Sequence, residues 1–89
     1  MKDIIYEFYV ANNRAEKDLH GLVEIRNDVK GKLDKLKAQP RREAGAHPLH
    51  GRLKGKWACW LGSDIRMIYS IDDEKKLIII EAVGSHKVY

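Results

Sequence analysis

The chain has 89 residues, of which 44% are hydrophobic and 34% charged, and its formal net charge is +4 at pH 7. This length predicts a single globular domain spanning residues 1–89. The sequence has no apolar run of 18 residues, which argues against a membrane-spanning helix, and residues 1–10 do not resemble a secretory signal. The single cysteine, Cys59, excludes an internal disulfide and fits the reducing cytoplasm, where we expect the protein to act.

The positive charge is concentrated in one sixteen-residue stretch. This stretch contains five cations, which are Arg41, Arg42, Arg52, Lys54 and Lys56, and one acid, Glu43. The other 73 residues carry 12 cations and 12 acids and are therefore neutral. Such a concentration favours a polyanionic partner, either nucleic acid or an acidic protein segment. The alternative is a solvated basic loop.

The first third of the chain predicts a strand followed by a helix. Ile4–Val10 mixes β-branched and aromatic residues, which indicates a strand. Asn12 or Asn13 offers a helix N-cap. The helix is expected to end near His20, where Gly21 permits a break.

A second helix is predicted by apolar residues spaced three and four apart, which are Leu22, Ile25, Val29, Leu33 and Leu36. It is expected to end near Ala38, because Pro40 prevents its continuation. Residues 39–55 contain two prolines and three glycines and are expected to form a loop.

Three strands are predicted after this loop, over Lys56–Leu61, Ile65–Ile71 and Lys76–Val83. Their short turns require antiparallel neighbours. The order of elements therefore predicts an α+β fold, with an N-terminal strand and a helical hairpin packed on one face of a four-stranded, mostly antiparallel sheet. The opposite face is expected to be open to a ligand.

Alternation along the middle strand separates two sets of side chains. One set is apolar or aromatic and is expected to face the helices; it comprises Ile65, Met67, Tyr69 and Ile71. Arg66 then projects from the opposite face. An arginine mounted on a strand is pre-oriented to bind phosphate. The alternative is a surface arginine paired with Glu81 or another neighbour.

Other polar residues lie at the predicted strand ends. Asp64 follows Gly-Ser just before the middle strand, and it is either a turn residue or a functional carboxylate. His86 follows the last strand. His47 precedes Pro48, which favours extended backbone.

A metal site is not predicted, and no cofactor is expected. His47 and His50 have a two-histidine spacing, with His86 as a distant third candidate, but they lie in a predicted loop and no glutamate lies between them as in zinc peptidases. Cys59 lies in an apolar strand, where a buried and inert thiol is expected.

Three segments, taken in order, resemble a known family. They are HPLHGRLKGKW, SDIRMIYSID and VGSHKVY, which begin at His47, Ser63 and Val83. Together they look like the RelE-type toxins of bacterial and archaeal toxin–antitoxin pairs, and most like the YafQ-like branch. That branch has an HPL-x-G motif and a terminal G-[ST]-H segment. The resemblance extends over the whole chain in element order.

The resemblance implies a RelE-like fold and an mRNA endoribonuclease that cleaves without metal, typically on the ribosome, and is neutralised by an antitoxin. His47, Asp64, Arg66 and His86 match its catalytic positions. We assign His86 as the general acid, His47 or Asp64 as the base, and Arg66 as the phosphate ligand. Tyr89 lies close to a terminal aromatic residue that contacts a base. The further residues expected to bind RNA are Arg52, Lys54 and Lys56.

Two positions depart from the YafQ-like pattern. Trp60 stands where those proteins have a second catalytic histidine, and Ala46 replaces the usual aspartate before the HPL motif. Two other functions therefore stay open. One is a ParE-type toxin that inhibits gyrase by protein binding, which would leave the four candidate catalytic residues unexplained. The other is a catalytically weak module that binds RNA or an antitoxin.

Overall fold

The computed structural model describes residues 5–62 and 64–85. Its elements are β1 (Glu7–Val10), α1 (Asn13–Ile25), α2 (Asn27–Ala38), β2 (His47–Pro48), β3 (Trp57–Trp60), β4 (Ile65–Asp72) and β5 (Leu77–Ser85). Short 3-10 helices at Glu43–Gly45 and Gly51–Leu53 flank β2. No helix in this part of the chain is long and apolar enough to cross a membrane.

The sheet has five strands in the order β1-β5-β4-β3-β2. β1 runs parallel to β5, and every other neighbouring pair is antiparallel, which confirms the predicted α+β class. The predicted count of four strands was wrong, because His47–Pro48 within the expected loop pairs with β3. A two-residue strand is too short to show alternation. Its proline is tolerated because β2 is an edge strand.

The two helices meet at a different residue from the one predicted. α1 continues through Gly21 to Ile25, and the break falls at Arg26, whose backbone is extended. An isolated glycine costs a helix only about 1 kcal/mol, which does not end it. Asn12 caps α1 as expected, since its side chain accepts a hydrogen bond of 2.8 Å from the Ala15 amide. Ile25, predicted to face the core, is 81% exposed.

The main core lies between the helices and one face of the sheet. Its largest fully buried side chains are Val29, Leu36, Cys59, Leu61, Met67, Tyr69, Ile78 and Ile80. The burial of Met67 and Tyr69 confirms the face of β4 that was predicted to meet the helices. Cys59 is a buried free thiol, as expected, and burial raises its pKa to about 12.

A smaller core covers the middle of the opposite face, which corrects the expectation that this face is open. We call it the second core; it comprises Leu49, Ala58 and Ile68, with Leu53 and Ala82 packed against them. The chain reverses between β2 and its antiparallel neighbour β3, and within this turn Leu49 and Leu53 pack over the sheet. Ile68 is consequently only 4% exposed, as the hydrophobic effect favours for an isoleucine at the centre of a sheet.

Tyr69 connects the main core to the segment after α2 through a hydrogen bond. Its side chain is fully buried, and its hydroxyl donates a hydrogen bond of 2.7 Å to the Pro40 carbonyl oxygen. Substitution by phenylalanine would leave that carbonyl without its donor inside the protein.

We therefore expect Tyr69→Phe to lower the free energy of unfolding by about 1–3 kcal/mol in urea denaturation. Tyr9→Phe is the matched control, because Tyr9 is 58% exposed, and it should change stability by less than about 0.5 kcal/mol. Equal stabilities for the two variants would contradict this role of the Tyr69 hydroxyl.

Candidate functional site

Arg66 and Trp60 form a stacked pair on the sheet face opposite the helices. They are cross-strand partners in β4 and β3, and the Arg66 Cζ lies 4.2 Å from the centroid of the Trp60 ring. On its other side, Arg66 is paired with Gly84 of β5, which has no side chain to crowd the guanidinium. Stacking on an aromatic ring restrains a guanidinium while its N–H groups point outward in its plane.

His47 lies on the same face, at the edge of the sheet. It is the cross-strand partner of Ala58, a member of the second core, so its side chain projects from the same face as that core. The His47 Nδ1 lies 3.0 Å from the Gly45 carbonyl oxygen. Because a carbonyl can only accept, Nδ1 donates, and in the neutral ring Nε2 carries the lone pair. The site therefore has a nitrogen able to accept a proton.

Asp64 is placed differently from these residues. Its carboxylate is 71% exposed, and its Oδ1 lies 4.0 Å from the Arg26 guanidinium at the junction of α1 and α2. Asp64 therefore lies near the helical layer. Sequence reasoning could not have found it, because the position of Arg26 depends on where the two helices separate.

Two cations of the basic stretch are engaged by acids from distant parts of the chain. Lys56 Nζ lies 2.6 Å from the Glu81 carboxylate, which also accepts a hydrogen bond of 3.1 Å from the Ser70 hydroxyl. Arg41 forms two hydrogen bonds to Asp73, at 3.1 and 2.7 Å. Glu81, which the sequence offered as a partner for Arg66, is therefore paired with Lys56.

The remaining cations of the stretch are exposed. Arg42, Arg52 and Lys54 form no ion pair within the part of the chain that the structure describes. Arg52 and Lys54 lie in or beside the short 3-10 helix that follows β2, in the segment that covers the second core. The exposed charges of Arg52 and Lys54 therefore lie in the segment that covers the second core, on the face that carries His47 and Arg66.

His86 and Tyr89 lie outside the described residues, so their assignments stay predictions. β5 itself extends to Ser85, with Gly84 opposite Arg66. Within the described ranges, no three histidine, cysteine, aspartate or glutamate side chains gather into a group that could bind a metal ion. His50 is exposed in the loop after β2.

A second polar cluster, around Asp73, serves the fold. Asp73 accepts hydrogen bonds from Arg41 and, at 2.6 Å, from the Tyr6 hydroxyl. These two donors, first Arg41 and then Tyr6, lower the pKa of the Asp73 carboxyl to about 2. Arg41 also lies over the Trp57 ring, 5.9 Å from its centroid. The cluster joins the start of the sheet, the chain after α2 and the turn between β4 and β5.

This cluster predicts a specific loss of stability in acid. A carboxyl whose pKa is lowered by folding stabilises the protein above its ordinary pKa, and this contribution disappears as the pH falls through the folded value. For Asp73 the window runs from pH 3.8 down to about 2. Asp73→Asn should be less stable than wild type at pH 7 and should lack this part of the acid dependence.

The measurement is chemical denaturation at several pH values between 2 and 7. Asp34→Asn, which removes an exposed carboxylate from α2, is the matched control and should keep the dependence of the wild type. An unchanged acid profile in Asp73→Asn would show that the cluster does not act in this way.

No protein-family model and no curated protein sequence matches the chain. Solved structures do match it. One is a chain of the RelBE2 toxin–antitoxin complex from Mycobacterium tuberculosis, with 26% identity, a TM-score of 0.73, and coverage of 93% of this chain and 100% of that one.

Two further solved structures resemble the chain over nine tenths of its length. The YoeB/ParE toxin from Agrobacterium tumefaciens is 15% identical, with a TM-score of 0.72 and coverage of 90% of this chain and 98% of that chain. YafQ from E. coli is 21% identical, with a TM-score of 0.65 and coverage of 91% and 93%. At these identities the likeness shows a shared fold.

Proposed function

We propose that this chain, which has the RelE-type toxin fold, is the toxin of a toxin–antitoxin pair and cleaves mRNA on the ribosome without a metal ion. The observation that carries the proposal is the placement of His47 and Arg66 on one face of the sheet. One has a nitrogen able to accept a proton, and the other is a restrained cation. Arg52 and Lys54 add exposed positive charge nearby.

The proposed chemistry uses the 2′-hydroxyl of RNA as the nucleophile. His47 Nε2 takes the proton of that hydroxyl as its oxygen attacks the adjacent phosphorus. Arg66 stabilises the charge that develops on the phosphate oxygens, and His86 protonates the departing 5′-oxygen. The products are a 2′,3′-cyclic phosphate and a 5′-hydroxyl, and translation is inhibited because the message is cut.

The structure favours His47 over Asp64 as the base. His47 is oriented by the Gly45 carbonyl, whereas Asp64 pairs with Arg26 beside the helices. Lys56 can contact RNA only by exchanging its Glu81 partner for a phosphate. Tyr89 would stack on a base, a contact of about 1–3 kcal/mol.

An antitoxin with an acidic segment is the proposed partner protein. Exposed Arg42, Arg52 and Lys54 attract such a segment, and binding there would cover the face that carries His47. The RelBE2 structure is itself a toxin–antitoxin complex.

The purified protein should cut free RNA in the presence of EDTA, and mRNA on translating ribosomes in the Mg²⁺ buffer that keeps the ribosome intact. A single 2′-deoxy substitution at the cleaved position should abolish the cut, because the nucleophile is then missing. Mass spectrometry of the fragments should find the cyclic phosphate. Loss of free-RNA cleavage in EDTA, or cleavage of the deoxy substrate, would contradict the proposed chemistry.

Substitutions should separate the three catalytic roles. His47→Ala and His86→Ala should each lower the rate by about 10²- to 10⁴-fold, which is the usual contribution of a general acid or base. Arg66→Ala should lower it by about 10²- to 10³-fold through lost stabilisation of charge. His20→Ala, on an exposed face of α1, is the matched control and should cleave like wild type.

Binding of a non-cleavable deoxy-substituted RNA should depend on the exposed cations. The double variant Arg52→Ala, Lys54→Ala should weaken binding and reduce the slope of log affinity against log salt by about 1.4, since each contact to a single-stranded phosphate contributes about 0.7. Lys30→Ala, at an exposed position of α2, is the control. Equal slopes for the double variant and wild type would show that Arg52 and Lys54 do not contact the RNA phosphates.

A further inference from the structure

We infer that Trp60 is a positioning residue that holds Arg66 and His47 in one geometry, an inference that rests on the ribonuclease function proposed above. An indole N–H neither ionises nor accepts a proton near neutral pH, so Trp60 cannot act as a general acid or base. Its surroundings indicate a different role, because the face of the ring lies on Arg66 and its edge lies next to Gly45, whose carbonyl accepts a hydrogen bond from His47.

The face of the Trp60 ring restrains Arg66. The guanidinium carbon lies 4.2 Å from the ring centroid, well inside the range of a cation–π interaction. The two residues are direct partners across β3 and β4, so the backbone pairing brings the side chains together. Arg66 is thereby kept close to the sheet.

The edge of the same ring lies against the backbone that orients His47. A Cβ built on Gly45 would lie 3.1 Å from the Trp60 Cδ1, closer than side chains ordinarily approach. Gly45 also has a φ of +69°, a conformation that favours glycine. Its carbonyl accepts the hydrogen bond from His47 Nδ1. Trp60 therefore lies between Arg66, on the face of its ring, and Gly45, whose carbonyl orients His47.

Trp57, the other tryptophan of β3, does not have this role. Trp57 is three residues earlier in the same strand, pairs with Tyr69 and packs against the main core. Its ring therefore faces the helices. Substituting it changes the core side of β3 and leaves the Trp60 ring and its contact with Arg66 in place, which makes it the matched control.

The first experiment needs no RNA. Nuclear magnetic resonance would record the ¹⁵N shifts of the His47 ring and the proton shifts of the Arg66 side chain. In wild type we expect an Nδ1–H tautomer and Arg66 protons shifted upfield by the Trp60 ring. Trp60→Leu should lose both features, Trp60→Phe should keep the Arg66 shift in part, and Trp57→Leu should keep both.

The second experiment measures cleavage. Trp60→Leu should lower kcat by about 10-fold, with a smaller change in KM, and Trp60→Phe should restore much of it because the aromatic face returns. In an Arg66→Ala background, Trp60→Leu should lower kcat much less, since the contact between Trp60 and Arg66 is already lost. Gly45→Ala should alter the pH profile of kcat, because it displaces the carbonyl that orients His47.

The two experiments separate this inference from the proposed function. If wild type fails to cleave RNA yet Trp60→Leu changes the His47 and Arg66 signals, the ribonuclease proposal fails and the positioning role stands. If wild type cleaves but Trp60→Leu leaves these signals as they are, the positioning role is overturned. An equal loss of kcat in Trp57→Leu and Trp60→Leu would overturn it as well.

Discussion

The structure depends on β4 being packed from both sides. It is the central strand of the sheet, and its alternating side chains enter two separate apolar clusters. Met67 and Tyr69 enter the core beneath the helices, and Ile68 enters the second core beneath the loop after β2. Arg66 is therefore carried on a strand that is packed on both faces. We propose that Arg66 binds a phosphate, and a cation in that role needs such a support.

The second core also divides the face that carries the site. Lys56, Ser70 and Glu81 form one polar group, and Trp60 and Arg66 form another. The row from Ala58 to Ile68 and Ala82 lies between them, as the strand register shows. The Glu81 carboxylate is therefore on the far side of this apolar row from Arg66, where it pairs with Lys56. The loop that covers the second core also carries the exposed cations Arg52 and Lys54.

The sequence predicted the features that depend on local patterns. The alternation in β4, the end of α2 before Pro40 and the inert Cys59 all follow from neighbouring residues. It failed where the outcome depends on distant contacts. The break at Arg26, the two-residue strand at His47 and the pairing of Lys56 with Glu81 each require knowledge of how segments meet. In the site, Arg66 was placed on the correct face, whereas its contact with Trp60 could not be read from the sequence.

The choice of an aromatic neighbour for Arg66 has an electrostatic reason. A carboxylate beside the guanidinium would offset the positive charge that we propose binds the phosphate. The Trp60 ring restrains the same group through its quadrupole and contributes no net charge. The departure at Trp60 thus removes a possible proton donor from the site. In the same position it supplies a neutral support for the residue that we propose binds the phosphate.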